Sequence, residues 1–257
     1  MIERALTSVW LRALDARDAV SGRDALVPPR RLQFVGAGDF VTVGDEFLFH
    51  FRTLAGIEPH HRVLDIGCGI GRMARPLVRF LDPARGSYDG FDVNREGIEW
   101  CRAHYAAHPH FRFRAVDLFN TRYRPDAGES AREFRFPYPD GAFDLVFATS
   151  VFTHLPREEA DRYLQESARV LAPGGRLLAT FFLLDGDAPA PTLDFRPADE
   201  VMSVVDPDLP EEAVAFDAGW VAERIGAHGL GALETYPGTW RGTDGLSYQD
   251  VVVAARA

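Results

Sequence analysis

The sequence predicts an α/β fold, and three observations carry this prediction. Short apolar runs alternate with helical stretches between residues 62 and 183, the connections are short, and a glycine-rich turn follows the first run. Such alternation is typical of a mostly parallel sheet with helices on both faces. The chain has 257 residues, of which 46% are hydrophobic and 26% charged, as in an ordinary globular domain.

The periodicity of apolar residues predicts the individual elements. Strands are expected at residues 62–67, 87–93, 111–118, 143–150 and 176–184. Helices are expected at 71–81, 94–107, 157–171 and 211–228. Residues 230–240 and 247–257 are expected to close the sheet as an edge hairpin.

We interpret residues 1–257 as one domain with four parts. They are a helical cap at 1–50, a core at 60–184, an acidic insertion at 185–217, and a closing helix and hairpin at 218–257. The insertion carries ten acidic residues, one Arg and five Pro, which predicts a loop-rich surface segment. This segment is either a solvated surface excursion or part of a lid over the active site. The polar segment 120–133 is expected to be either a second loop on the substrate side or a surface loop without a role in binding.

Composition excludes several function classes. All 28 basic residues are Arg, so lysine Schiff-base chemistry and a standard phosphate-binding P-loop are excluded. Two Cys are too few for a disulfide framework, and no metal site is expected. The net charge of −10 counts against a nucleic-acid partner. No apolar run reaches the length of a membrane span, and no secretory signal is evident, so we expect a cytoplasmic protein.

A glycine-rich turn follows the first strand. It reads Asp65-Ile66-Gly67-Cys68-Gly69-Ile70-Gly71-Arg72. Glycines there permit a tight turn and a close approach of backbone to ligand. The spacing differs from that of dinucleotide-binding enzymes, which disfavours a nicotinamide-dependent oxidoreductase. An acid two residues before the first Gly would repel a pyrophosphate and favour a cationic ligand.

Two more acids follow the next two strands. Asp92 ends the second strand and suits the two hydroxyls of a ribose. Asp117 ends the third strand and suits an adenine amino group. Together with Asp65, they predict a site for a cationic nucleoside without phosphate.

These segments resemble the motif series of the class I S-adenosylmethionine-dependent methyltransferases, and most of all bacterial enzymes that methylate small molecules. The segments are VLDIGCGIGRMA, GFDVN, AVDLFN, FPYPDGAFDLVFATSVFTHL and YLQESARVLAPGGRLLATFF. The resemblance covers about residues 60–184. It implies a Rossmann-like, seven-stranded, mostly parallel sheet with an antiparallel last strand, and S-adenosylmethionine as cofactor, with S-adenosylhomocysteine as product.

The resemblance also assigns roles to residues. It implies that Gly67, Cys68 and Gly69 lie against the amino-acid part of the cofactor, and that Asp92 binds the ribose. It implies adenine contacts from Val93, Asp117 and Leu118. Thr149 and Ser150 would face the methyl-transfer centre. Arg72 is expected either to bind the cofactor carboxylate or to be a surface residue.

The predicted activity is in-line methyl transfer to a small molecule, at oxygen, in secondary metabolism. A hydroxyl acceptor needs a base, and His154 is the candidate, although a packing or capping role is the simpler interpretation. Transfer to nitrogen, an RNA substrate, and a binding module without catalysis remain alternatives. The sequence does not determine the acceptor or the oligomeric state.

Overall fold

The computed structural model describes residues 14–15, 22, 24–33, 38–118, 130–186 and 190–257. Part of the expected helical cap at 1–50, including all of its first helix except the helical residues 14–15, lies outside the described residues. So does most of the expected loop at 120–133.

Besides the helical residues 14–15, the described residues contain eleven strands and five α-helices. The strands are β1 (Arg62–Ile66), β2 (Ser87–Asp92), β3 (Phe111–Ala115), β4 (Phe143–Ala148), β5 (Leu171–Phe181), β6 (Leu183–Leu184), β7 (Arg196–Pro197), β8 (Met202–Val204), β9 (Val214–Asp217), β10 (Leu230–Tyr236) and β11 (Asp250–Arg256). The helices are α1 (Phe40–Thr53), α2 (Ala74–Phe80), α3 (Arg95–His104), α4 (Arg157–Val170) and α5 (Ala218–Ala227).

Seven of these strands form the main sheet, in the order β10-β11-β5-β4-β1-β2-β3. Strands β1 to β5 are parallel to one another, whereas β11 is antiparallel to both β5 and β10. The predicted fold class, including the antiparallel last strand and the edge hairpin, is confirmed.

Two apolar cores cover the two faces of the sheet. Alternate residues of β1 point to opposite sides, so Val63 joins one core and Leu64 the other. Helices α1, α2 and α3 contribute to the core that contains Val63, while α4 and α5 contribute to the other. The apolar runs of the sequence are explained by this burial on both faces.

The predicted helix at 211–228 is wrong in its first part. Helix α5 begins only at Ala218, where the Asp217 carboxylate caps it by accepting the Trp220 N–H at 2.8 Å. Residues Val214–Asp217 form β9, which pairs with β8 and β6. Its residues Val214, Ala215 and Phe216 are all fully buried, so tertiary packing selects a strand.

The described part of the acidic insertion has more regular secondary structure than the expected loop. Strands β6, β9, β8 and β7 form a second, four-stranded sheet in that order. A 3₁₀ turn at Pro210–Glu212 precedes β9 and lies against the 3₁₀ turn at Phe152–His154, which follows β4. The insertion is therefore attached on the side where β4 ends.

Candidate active site

The carboxyl ends of the parallel strands meet at one edge of the main sheet. The register places Ile66 of β1 opposite Phe91 of β2 and Ala148 of β4, and Ala148 opposite Ala179 of β5. The residues that follow these positions therefore lie at one level. Strand order reverses at β1, between β2 and β4, which is where open α/β sheets bind ligands.

The glycine-rich turn continues β1 at this edge. Gly67 has a φ of 70°, and a Cβ at this residue would lie 2.5 Å from Cγ2 of Val151, so only Gly fits between the ends of β1 and β4. The Gly67 and Cys68 N–H groups both donate to the Phe91 carbonyl, at 2.9 and 3.0 Å. These bonds fix the turn to the end of β2.

Asp92 joins the turn to the start of α3. One oxygen of its carboxylate accepts the Gly69 N–H at 2.7 Å, and the other accepts the Asn94 N–H at 2.7 Å. Asn94 in turn caps α3 by accepting the Gly97 N–H. Burial raises the pKa of Asp92, and the backbone hydrogen bonds oppose this effect. Each oxygen keeps lone-pair capacity for one further donor.

Asp65 is a buried carboxyl beside the same turn. Its Oδ2 accepts the Tyr88 hydroxyl at 2.6 Å, whereas its Oδ1 is buried and has no hydrogen-bond donor among the described residues. Burial raises the pKa of Asp65 well above its usual range, the Tyr88 hydrogen bond lowers it, and the nearby Asp92 carboxylate raises it. A buried acceptor without a donor is costly, so the site favours a ligand that donates to Oδ1.

Two further members of the turn differ in accessibility. Gly71, with a φ of 79°, is held by a hydrogen bond from the Tyr105 hydroxyl to its carbonyl at 3.2 Å. Arg72 is half-buried, and its guanidinium makes no hydrogen bond or ion pair with the described part of the chain. Burial lowers the pKa of Arg72. An unpaired, partly desolvated cation at this place is suited to an anionic ligand group.

The residues expected at the adenine lie at the ends of β2 and β3. Val93 is half-buried against the core, and Leu118 is almost fully buried. Asp117 is exposed, and its carboxylate forms an ion pair with Arg95, the first residue of α3, at 3.3 Å. The sequence did not indicate Arg95, because only the fold brings the two elements together.

Thr149 and Ser150 follow β4, as expected. Thr149 is half-buried and Ser150 is exposed with a φ of 56°. The structure adds two residues that sequence reasoning missed, Thr180 of β5 and Gln249, which precedes β11. Their side chains hydrogen-bond with each other and with Ser150. No local sequence signal could have identified Gln249, which is 99 residues from Ser150.

His154 lies in the 3₁₀ turn after β4. Its Nδ1 is 2.9 Å from the Glu211 carbonyl oxygen of the insertion. Because a carbonyl oxygen only accepts, Nδ1 carries the proton in a neutral ring and Nε2 has a free lone pair. This contact links the turn to the insertion.

The described residues contain no group of three or more His, Cys, Asp or Glu side chains that could bind a metal ion. Among the same residues, no helix is long and apolar enough to cross a membrane.

Parts of the chain are similar in sequence to known methyltransferases. Residues 63–175 match a family model described as a methyltransferase domain. The chain is 32% identical over 161 residues to the phthiotriol/phenolphthiotriol dimycocerosates methyltransferase 1 of Mycobacterium ulcerans, covering 61% of this chain and 46% of that protein. It is 35% identical over 135 residues to the fatty-acid O-methyltransferase of Mycolicibacterium smegmatis, covering 52% and 41%.

A solved structure shows the same fold across most of the chain. The PH0226 protein of Pyrococcus horikoshii OT3 aligns with a TM-score of 0.59 at 16% identity, covering 88% of this chain and 95% of that one. The chain spans less than half the length of the two curated relatives above. The family match, the relatives and the fold agree with the resemblance seen in the sequence: residues 63–175 are similar to the methyltransferase domain family, and the chain shares the fold of the solved structure.

Proposed function

We propose that this chain transfers the methyl group of S-adenosylmethionine to an oxygen of a small molecule. One observation carries the cofactor part of this proposal: Asp92 ties the glycine-rich turn to α3 at the strand edge, while the adjacent Asp65 keeps a buried oxygen without a donor. A cationic ligand with hydrogen-bond donors at this place would donate to both carboxylates.

The residues present fit this cofactor. Asp65 Oδ1 offers an acceptor to a cationic group, and the unpaired guanidinium of Arg72 offers a donor to a carboxylate. We assign the amino-acid part of the cofactor to Asp65, Arg72 and the backbone of residues 67–71. The carboxylate of Asp65 and the guanidinium of Arg72 are complementary to the ammonium and the carboxylate of a zwitterionic amino acid.

We assign the nucleoside part to the ends of β2 and β3. Asp92 retains the lone pairs needed to accept ribose hydroxyls, and Val93 supplies an apolar contact for the adenine ring. Asp117 and the backbone N–H of Leu118 suit the adenine edge. In this assignment the adenine amino group shares Asp117 with Arg95.

When bound, S-adenosylmethionine supplies a methyl group on a positively charged sulfur, which an acceptor attacks in line. The protein contributes alignment, which is the main requirement of such a displacement. Thr149 and Ser150 would line the transfer centre. His154 would accept the acceptor's proton at Nε2, because its Nδ1 proton is held by the Glu211 carbonyl.

The acceptor is assigned to the small molecules for three reasons. Of the two relatives described above, the one from Mycolicibacterium smegmatis is named a fatty-acid O-methyltransferase. The net charge of −10 disfavours RNA. The acidic insertion, joined to the strand edge through His154, suits a lid over a neutral or cationic molecule. Transfer to nitrogen remains the main alternative, and we place the reaction in the secondary metabolism of a bacterial cytoplasm.

Calorimetric titration of the purified chain with S-adenosylmethionine, S-adenosylhomocysteine and NADH tests the cofactor assignment. We expect binding of the two sulfur compounds and none of NADH. An acceptor screen with methyl-labelled cofactor then separates hydroxyl from amine substrates. Binding of neither sulfur compound would overturn the proposal.

A further inference from the structure

The start of β11 lies near the proposed methyl-transfer centre, because this strand runs opposite to the parallel strands. Strand β11 runs antiparallel to β5, with Asp250 opposite Phe181. The amino end of β11 therefore lies where the parallel strands end. Gln249, the residue before β11, is half-buried there.

Gln249 completes a cluster with Ser150 and Thr180. Its Oε1 accepts the Thr180 hydroxyl at 2.6 Å and the Ser150 hydroxyl at 3.0 Å. The Thr180 hydroxyl oxygen also accepts the Ser150 N–H at 2.8 Å. Thr180 is 1% exposed, so this cluster is held from within the sheet.

The cluster supports a strained backbone. Ser150 has a φ of 56°, in the left-handed region that residues with a Cβ rarely adopt. The hydrogen bonds to Thr180 and Gln249 hold Ser150 in this conformation at the end of β4. Strain of this kind concentrates at functional sites, where surrounding contacts fix it.

The cluster leaves one donor poorly used. The Gln249 Nε2 contacts only the Thr153 hydroxyl among the described residues, at 3.5 Å, which is long for a hydrogen bond. None of the four side chains is charged. An uncharged donor beside an exposed hydroxyl is suited to a neutral oxygen function and offers no counter-ion to a charged one.

Resting on the proposed function, we propose that Gln249 contacts the methyl acceptor. Its amide N–H donates to a neutral hydroxyl or carbonyl oxygen next to the reacting atom, while Ser150 and Thr180 hold the amide. Gln249 thereby selects acceptors with a neutral oxygen at this position.

The placement is tested by introducing a charge without changing the shape. In Gln249→Glu the carboxylate still accepts both hydroxyls. S-adenosylmethionine carries a positive sulfur and S-adenosylhomocysteine a neutral one. A carboxylate near this sulfur should favour the positive compound, so the affinity for S-adenosylmethionine divided by that for S-adenosylhomocysteine should rise roughly five- to tenfold at neutral pH. Gln165→Glu, on the exposed face of α4, adds the same charge elsewhere and should leave the ratio unchanged.

A second variant and a structure test the donor itself. Gln249→Leu should leave the affinity for S-adenosylhomocysteine within about twofold, because the amide does not hold the cofactor. A crystal structure of the wild-type complex with S-adenosylhomocysteine should show a water on Nε2, which marks the position of the acceptor oxygen, and the Leu variant should lack it.

The outcomes separate the two proposals. If wild-type protein binds neither sulfur compound, the proposed function itself fails. If both bind but Gln249→Glu leaves their affinity ratio unchanged, only the placement of Gln249 is wrong. A tenfold loss of affinity in Gln249→Leu, or a structure with no water on Nε2, would also overturn the assigned role.

Discussion

Two buried polar clusters at the sheet edge where the parallel strands end differ in how completely their hydrogen bonds are satisfied. At the start of β11, Asp250 is fully buried and accepts N–H groups of Leu183, Gly238, Trp240 and Arg241 at 2.7–2.8 Å. At the glycine-rich turn, Asp65 is equally buried but has a donor on only one oxygen.

The cations beside these two acids differ in the same way. Arg241 bonds to Asp250, Asp185 and the Leu183 carbonyl, and these ion pairs raise its pKa although burial opposes them. Arg72 has no such partner in the described part of the chain. We infer that the Asp250 cluster stabilises the fold, joining β11 to the insertion, whereas the turn keeps its bonding capacity for a ligand.

Truncation of Asp250 should have the largest effect on stability. Asp250→Ala removes the fully buried counter-charge of the Arg241 guanidinium, which should lower the free energy of unfolding by about 3–5 kcal/mol. Urea denaturation followed by circular dichroism measures the loss. Asp194→Ala, which removes an exposed carboxylate 3.6 Å from Arg196, should leave the midpoint unchanged. Equal stability of the two variants would contradict the distinction.

Asp92→Ala should act mainly on ligand binding. The lost hydrogen bonds should weaken the affinity for S-adenosylhomocysteine by about 1.5–3 kcal/mol, measured by titration calorimetry. Asp92→Asn, which keeps one side-chain acceptor, should lose less. An unchanged affinity in Asp92→Ala would exclude the ribose contact.

Arg72→Ala should separate the two kinds of cluster. Because Arg72 has no partner among the described residues, its removal should barely change the urea midpoint. It should weaken the affinity for S-adenosylhomocysteine by about 1–2 kcal/mol through the lost bond to the carboxylate. Arg79→Ala, also in the α2 region but 81% exposed, is the control and should alter neither property. A stability loss without a binding loss would make Arg72 structural.

Asp65→Asn should produce the smallest and most diagnostic change. The raised pKa means that the folded state binds the Asp65 proton more tightly than the unfolded chain does. The free energy of unfolding therefore falls as the pH rises from the pKa of Asp65 in the unfolded chain, about 4, to its pKa in the folded state. The Asn variant should therefore be more stable than wild type by about 1 kcal/mol near neutral pH, with the advantage shrinking on acidification. Urea titrations between pH 5 and 8 measure this trend. The same variant should bind S-adenosylmethionine less tightly, and equal losses of stability and binding would contradict the ligand role.

The parts of the molecule that the sequence predicted are those governed by local pattern. Strands β1 to β4 follow from apolar runs. The turn at Gly67 follows from the glycines of the sequence, because its φ of 70° is one that glycine adopts readily. The helix prediction was wrong at Val214–Asp217. These residues form a buried strand, because β8 and β6 pair with them. Whether the assigned cofactor residues bind the cofactor remains a prediction.

The sequence by itself therefore determined the α/β core, the order of its motifs and the positions of Asp65, Asp92 and Asp117 near the ends of three successive strands, because hydrophobic periodicity and glycine conformation act over a few residues. Only the tertiary structure decided which acid has a missing donor, that Arg95 pairs with Asp117, and that Gln249 reaches Ser150. These contacts depend on strand register and on antiparallel pairing between segments far apart in the chain. No local sequence pattern specifies these contacts, because they form only when the whole sheet assembles and both of its faces are buried.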